Sequence, residues 1–138
     1  MPDKSYAHRP VIDKLGIKPG ARVSILAVDD ADFMAELIDR TGDISLGGVS
    51  PASDAVFLGV EQPDDMAPMA ALRSVIKSNG AVWVVYRKGR KDFNENDVLR
   101  LGLETGLVDV KVVRFSDTHT ATKFVIRKAD RPKPQNRP

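Results

Sequence analysis

The sequence predicts an α/β protein: a three-layer α/β/α sandwich whose mostly parallel sheet closes with a C-terminal antiparallel hairpin. Three observations predict it. Short apolar runs at residues 22–28, 55–60 and 81–86 alternate with amphipathic helical segments. The last two candidate strands are joined by only the turn Ser116-Asp117-Thr118-His119-Thr120. Glycines and prolines mark most of the boundaries. Strands alternating with helices form a parallel sheet between two helix layers, whereas a connection this tight permits only an antiparallel pair.

Residues 1–10, with Pro2 and Pro10, are expected to form a flexible N-terminal arm, and one domain is expected over residues 11–128. Val11 begins a short helix stopped by Gly16, and Pro19-Gly20 makes a turn. The first strand, at 22–28, is apolar on both faces and ends at Asp29-Asp30. Asp30 caps a helix with the stripe Phe33, Met34, Leu37 and Ile38, which Gly42 ends. Ile44-Ser45-Leu46 is a short strand, followed by the flexible Gly47-Gly48-Val49-Ser50-Pro51. A buried strand at 55–60 leads to a helix capped by Asp64 or Asp65, with Pro68 in its first turn. Met69, Leu72, Val75 and Ile76 form its core face, and Asn79-Gly80 closes it. After the strand at 81–86, Asn94 caps a helix whose core face is Val98 and Leu101, helped by Leu99 and Leu103. Glu95 and Asp97 suit its first turn, and Gly106 ends it. The strands at 108–115 and 122–128 mix charged and apolar positions, as strands toward a sheet edge do. Residues 129–138 are basic and proline-rich and are expected to be a disordered tail.

Composition narrows the chemistry. With 138 residues, the chain is long enough for one real core. It has no cysteine, which removes disulfides, thiolate nucleophiles, Cys-ligated zinc and iron–sulfur clusters. The net charge of +2 gives little general attraction to nucleic acid. Residues 1–10 hold no apolar stretch of signal-peptide length and no run is long enough for a membrane span, so a soluble, cytoplasmic protein is expected.

The segment 54–60, the helix ending Leu72-Arg73-Ser74-Val75-Ile76-Lys77-Ser78-Asn79-Gly80 and the strand 81–86 resemble the middle of a class I methyltransferase. Gly106-Leu107-Val108-Asp109-Val110, leading into a hairpin, is similar to that fold's last two strands. Lys14-Leu15-Gly16-Ile17-Lys18-Pro19-Gly20, Gly80-Ala81-Val82-Trp83-Val84, Gly106-Leu107-Val108-Asp109-Val110-Lys111-Val112 and Lys123-Phe124-Val125 resemble a bacterial family of small proteins, domain of unknown function 3052. This resemblance spans about residues 11–128 and implies a Rossmann-like, methyltransferase-like fold rather than an activity.

One departure bears on function. A fold of this kind places a glycine-rich turn after its first strand, so that backbone N–H groups can approach a cofactor beside a helix N-terminus. Here the chain reads Ala27-Val28-Asp29-Asp30-Ala31-Asp32, whose carboxylates repel the methionine carboxylate of S-adenosylmethionine. The acid expected after the second strand is missing too, since Gly47-Gly48 follows Leu46. Neither cofactor nor metal is expected, the two histidines, His8 and His119, being too few for a His-rich metal set.

Loops after parallel strands share one edge of a sheet, and ligands bind there. That edge gathers Asp29, Asp30, Glu61, Arg87, Lys88, Asp117 and His119, an acidic cluster beside a basic loop suited to a polar or zwitterionic ligand. Helix capping alone accounts for Asp30. His119 is the one catalytic candidate, as a general base oriented by Asp117, although a histidine in so tight a turn also serves local turn contacts. No Gly-x-Ser-x-Gly elbow is present. Arg87, Lys88, Arg90 and Lys91 could hold phosphate or RNA backbone, with the basic tail as a second arm, but basic loops are also simply solvated. Trp83 is most simply core, and Tyr86 and Phe93 fit core positions equally well. The sequence thus points to a non-enzymatic, methyltransferase-like binding or regulatory domain with a small polar ligand or a protein partner and no membrane. The alternatives are an enzyme acting on a small polar ligand at this edge and an RNA- or phosphate-binding module.

Overall fold

The computed structural model describes residues 11–131, so the expected arm at 1–10 and the expected tail beyond Arg131 lie outside the described residues. Strands β1 (Val23–Leu26), β2 (Ile44–Leu46), β3 (Ser53–Val60) and β4 (Ile76–Arg87) run parallel. Strand β6 (His119–Ile126) lies antiparallel between β4 and β5 (Leu107–Arg114), giving the order β2-β1-β3-β4-β6-β5. The hairpin therefore places β5 at the edge and its partner β6 in the interior, where Ala121, Thr122 and Phe124 are buried.

Strand alternation sorts the core into two layers. On one face Ile25, Phe57, Trp83 and Val85 pack with Phe33 and Leu37 of α2 (Ala31–Arg40) and with Ile12 of α1 (Val11–Lys14). On the other, Val56, Leu58, Val82 and Val84 meet Met69 and Leu72 of α3 (Met69–Val75) and Val98 of α4 (Glu95–Leu103). Both faces of the sheet are covered, which makes the three layers.

Above β1 on this second face, residues 47–52 stand where a crossover helix would. Val49 packs on the core, and Ser24, fully buried on β1, accepts the Ser50 N–H at 3.0 Å and bonds the Ser53 hydroxyl at 2.9 Å. The Ser45 and Ser50 hydroxyls bond each other as well. A serine inside an apolar strand is thus satisfied by the loop that covers it.

Several boundaries differ from expectation. Helix α2 is capped by Asp30, whose Oδ1 accepts the Phe33 N–H at 2.9 Å, as expected. Its stop is Thr41 rather than Gly42: Thr41 is extended, its N–H bonds the Leu37 carbonyl, and its hydroxyl donates to the Ala21 carbonyl at 2.6 Å. Ile38, expected on the core stripe, is exposed. Asp65 caps a 3₁₀ turn at Pro63–Met66 by accepting the Glu61 and Gln62 N–H groups, and Pro68 is the N-cap of α3. Helix α3 ends at Val75 because Ile76 pairs with Ser53 and opens a long β4. Gly80 is no helix cap; it lies so close to the Ser53 and Asp54 carbonyls that a Cβ would crowd both. Gly106 does end α4 region as expected, with φ +91°. Beyond β6, Lys128–Asp130 forms a 3₁₀ turn, and Asp130 pairs with Arg73 at 3.4 Å. Among the described residues, no helix is long and apolar enough to cross a membrane.

Candidate functional site

The chain leaves β1 toward β2 on one side and returns to β3 on the other, so the C-terminal ends of β1 and β3 diverge at a topological switch point. A cleft of about 730 Å³ opens there. Its floor is set by an unusually close approach of two strand ends. Ala27 has φ +61°, the left-handed region that costs a residue with a side chain about 1–2 kcal/mol. Gly59 on β3 lies against it, where any Cβ would overlap the Ala27 carbonyl oxygen. The turn after β1 therefore adopts a glycine-type backbone without a glycine. Gly59 could be suspected from the sequence, since glycine inside a buried strand marks close backbone approach. Nothing in an alanine announces the conformation of Ala27.

Of the residues expected at this edge, Asp29, Asp30, Glu61, Arg87 and His119 line the cleft. Lys88 and Asp117 do not line it: the Lys88 backbone bonds Thr118, and Asp117, almost fully exposed, pairs with Arg114 at 2.7 Å. Asp32 stands exposed on the first turn of α2, outside the cleft. Of the basic loop, Arg87 and Arg90 line the cleft, while Lys88 and Lys91 do not line it. Arg90 is already committed, forking onto Asp92 at 3.0 and 2.8 Å and donating to the Glu61 carbonyl. The additional walls are Asp65, Asp92, Phe93 and Phe115, of which the last two are buried.

His119 sits across the strand pair from Arg87, and its Nδ1 is 2.7 Å from the Thr118 hydroxyl. That neighbour, not Asp117, orients the ring. Burial first, and then the Arg87 charge, hold His119 below its ordinary value of 6.5, against the opposing pull of Asp30 and Glu61. Burial and the Arg87 charge both favour the neutral imidazole. Ser116 is no nucleophile for it, because its hydroxyl accepts the Thr118 and His119 N–H groups. Among the described residues, no group of three or more His, Cys, Asp or Glu converges as a metal would require.

The geometry separates the carboxylates by role. Asp30 fills the N-terminus of α2, and Asp65 fills two backbone donors after β3. Among the described residues no hydrogen bond or ion pair engages the Asp29 carboxylate. Asp29 and Glu61 thus bring negative charge to the cleft that Arg87 also lines.

Solved structures that match this architecture include S-adenosylmethionine-dependent methyltransferases. An enzyme of that description from Aquifex aeolicus matches at TM-score 0.67, with 13% identity, over 91% of this chain and 94% of its own. A putative type 11 methyltransferase from Sulfolobus solfataricus matches at 0.63, with 10% identity, over 98% of this chain and 99% of its own. A TehB-like methyltransferase from Corynebacterium glutamicum matches at 0.54, with 12% identity, over 85% of each chain. No family model matches the sequence, and no curated protein matches it. The protein has the class I methyltransferase fold; at these identities the likeness is one of fold alone.

Proposed function

We propose that this chain is a non-enzymatic binding domain on the methyltransferase fold, of the kind its motifs share with domain of unknown function 3052. Its cleft takes a small zwitterionic ligand, with the cationic group toward Asp29 and Glu61 and the anionic group toward Arg87. It does not hold S-adenosylmethionine in the conventional pose. One observation carries this reading: the Asp30 carboxylate occupies the α2 N-terminus, 2.9 Å from the Phe33 N–H. An incoming carboxylate or phosphate would seek that same positive helix end. It would meet a resident anion instead, with Asp29 beside it.

A thermal-shift panel tests the proposal, because a ligand that binds only the native state must raise the melting temperature. Amino acids and betaines form one arm; S-adenosylmethionine and its demethylated product form the other. The expected outcome is stabilisation by a member of the first arm that both Asp29→Asn and Arg87→Met abolish. A rise of several degrees with millimolar S-adenosylmethionine would sink the reading.

A further inference from the structure

At the opposite end of the sheet, the turn between α1 and β1 and the starts of β3 and β4 line a second, open cavity of about 350 Å³. That volume falls at the lower end of the roughly 300–1,000 Å³ typical of small-molecule sites. Leu15, Ile17, Ala55, Ala81 and Trp83 give it apolar walls. Lys18, Asp54, Asn79 and Lys123 add polar side chains to it, and these are not equivalent. Asp54 is already neutralised, one oxygen pairing with Lys77 at 2.9 Å and the other accepting the Arg22 N–H at 2.8 Å. Lys123 is not. It is half-buried on β6, and among the described residues no carboxylate contacts its ammonium.

Its surroundings make that more costly. Lys123 stands directly opposite Lys111 on β5, and like charges opposite one another in a sheet are destabilising. Lys111 has a backbone acceptor, the Lys14 carbonyl at 3.2 Å, but brings no negative charge. The Lys123 ammonium lies 5.8 Å from the centre of the Trp83 ring, a cation–π contact that offsets part of the burial without neutralising the charge. Burial first, and then the Lys111 charge, hold Lys123 below the ordinary lysine value, the direction expected of an ammonium without a counter-ion. A half-buried cation, a like charge across the strand and a cavity beside the cation form a consistent arrangement once an anion is bound.

We propose that this cavity is a binding site for a small organic anion, its carboxylate on Lys123 and its apolar body against Leu15, Ile17 and Ala81. Contact with these apolar side chains favours an organic carboxylate over inorganic phosphate, which has no apolar body to bury. The site is separate from the cleft and does not depend on the function proposed for it.

Trp83 is the sole tryptophan, so its indole N–H is an unambiguous NMR reporter. The protein is titrated at pH 7 and constant ionic strength with benzoate, its neutral counterpart benzamide, and inorganic phosphate. Benzoate is expected to shift the indole resonance saturably, at least about tenfold more tightly than either control. Lys123→Met should lose that binding by about tenfold or more, and Lys123→Arg should keep it. Equal responses to benzamide or phosphate, an unaltered titration in Lys123→Met, or no saturable benzoate response would each overturn the proposal. If Lys123→Met does not fold, the benzamide comparison and Lys123→Arg still decide it.

Discussion

Ala27 carries the strain of the site. At φ +61° its Cβ is crowded by its own backbone, and Gly59 prevents relief by lying against its carbonyl. Ala27→Gly removes a cost of about 1–2 kcal/mol and returns about 0.4–1 kcal/mol as unfolded-chain entropy. A net stabilisation of about 0.5–1 kcal/mol is therefore expected, read as a raised urea midpoint. Gly59→Ala has no such latitude, because the new methyl meets backbone rather than a movable side chain. It should lower the midpoint sharply, by about 2 kcal/mol or more. If Gly59→Ala is neutral, the strand ends are not locked together as described. The neighbouring Asp30 shows the opposite economy: one carboxylate caps the helix and excludes an anion, so a single residue ties stability to ligand choice.

Helix α4 is held to the sheet by an absence. Gly102, in its last turn, is buried against Phe124 of β6, whose ring occupies the space a Cβ would need. In isolation, Gly102→Ala would gain about 1 kcal/mol of helix propensity. Overpacking a filled core costs about 1–3 kcal/mol, and Phe124 is fully buried with nowhere to swing. The core term wins, so the variant should be less stable; a higher urea midpoint would show that α4 can ride outward freely. The helix itself was legible in sequence from Asn94, whose side chain accepts the Asn96 and Asp97 N–H groups. The end of α3 was not. Val75 and Ile76 continue the helical spacing, yet Ile76 goes to Ser53 of β3, because a partner strand satisfies its backbone and buries its side chain at once. Local periodicity cannot weigh that partner.

Across the whole molecule, the titrations of His119 and Asp54 contribute to the acid side of stability. The folded chain binds the His119 proton less tightly than the unfolded chain does, so stability is complete above 6.5 and declines as pH falls from there through the folded value. At Asp54, burial opposes ionisation, but the Arg22 N–H and Lys77 outweigh it and hold the carboxyl below 3.8. Its contribution is present above 3.8 and is lost as pH falls through the folded value. Urea midpoints measured against pH should therefore fall in two stages. His119→Gln should erase the upper stage and keep the lower; an upper stage that survives would assign it to another group. These two groups stand at opposite ends of the sheet, His119 at the cleft and Asp54 at the second cavity.

The sequence by itself determined the layers, the strand direction and the final hairpin, because apolar runs, helical stripes and a short turn are local signals of how each segment buries its surface. It also put Asp29, Asp30, Glu61, Arg87 and His119 near the C-terminal edge, where they line the cleft, but did not reveal that Lys88 and Asp117 stay outside it. Tertiary structure alone decided the rest. It gave Ala27 a glycine's backbone, because Gly59 approaches from 32 positions away, and it turned Asp117 to Arg114 while leaving His119 to Thr118. It also left Lys123 without a counter-ion beside a cavity formed by the α1–β1 turn. The arrangements at Ala27 and Lys123 depend on which distant atoms share a few cubic ångströms, a quantity set by packing and invisible along the chain.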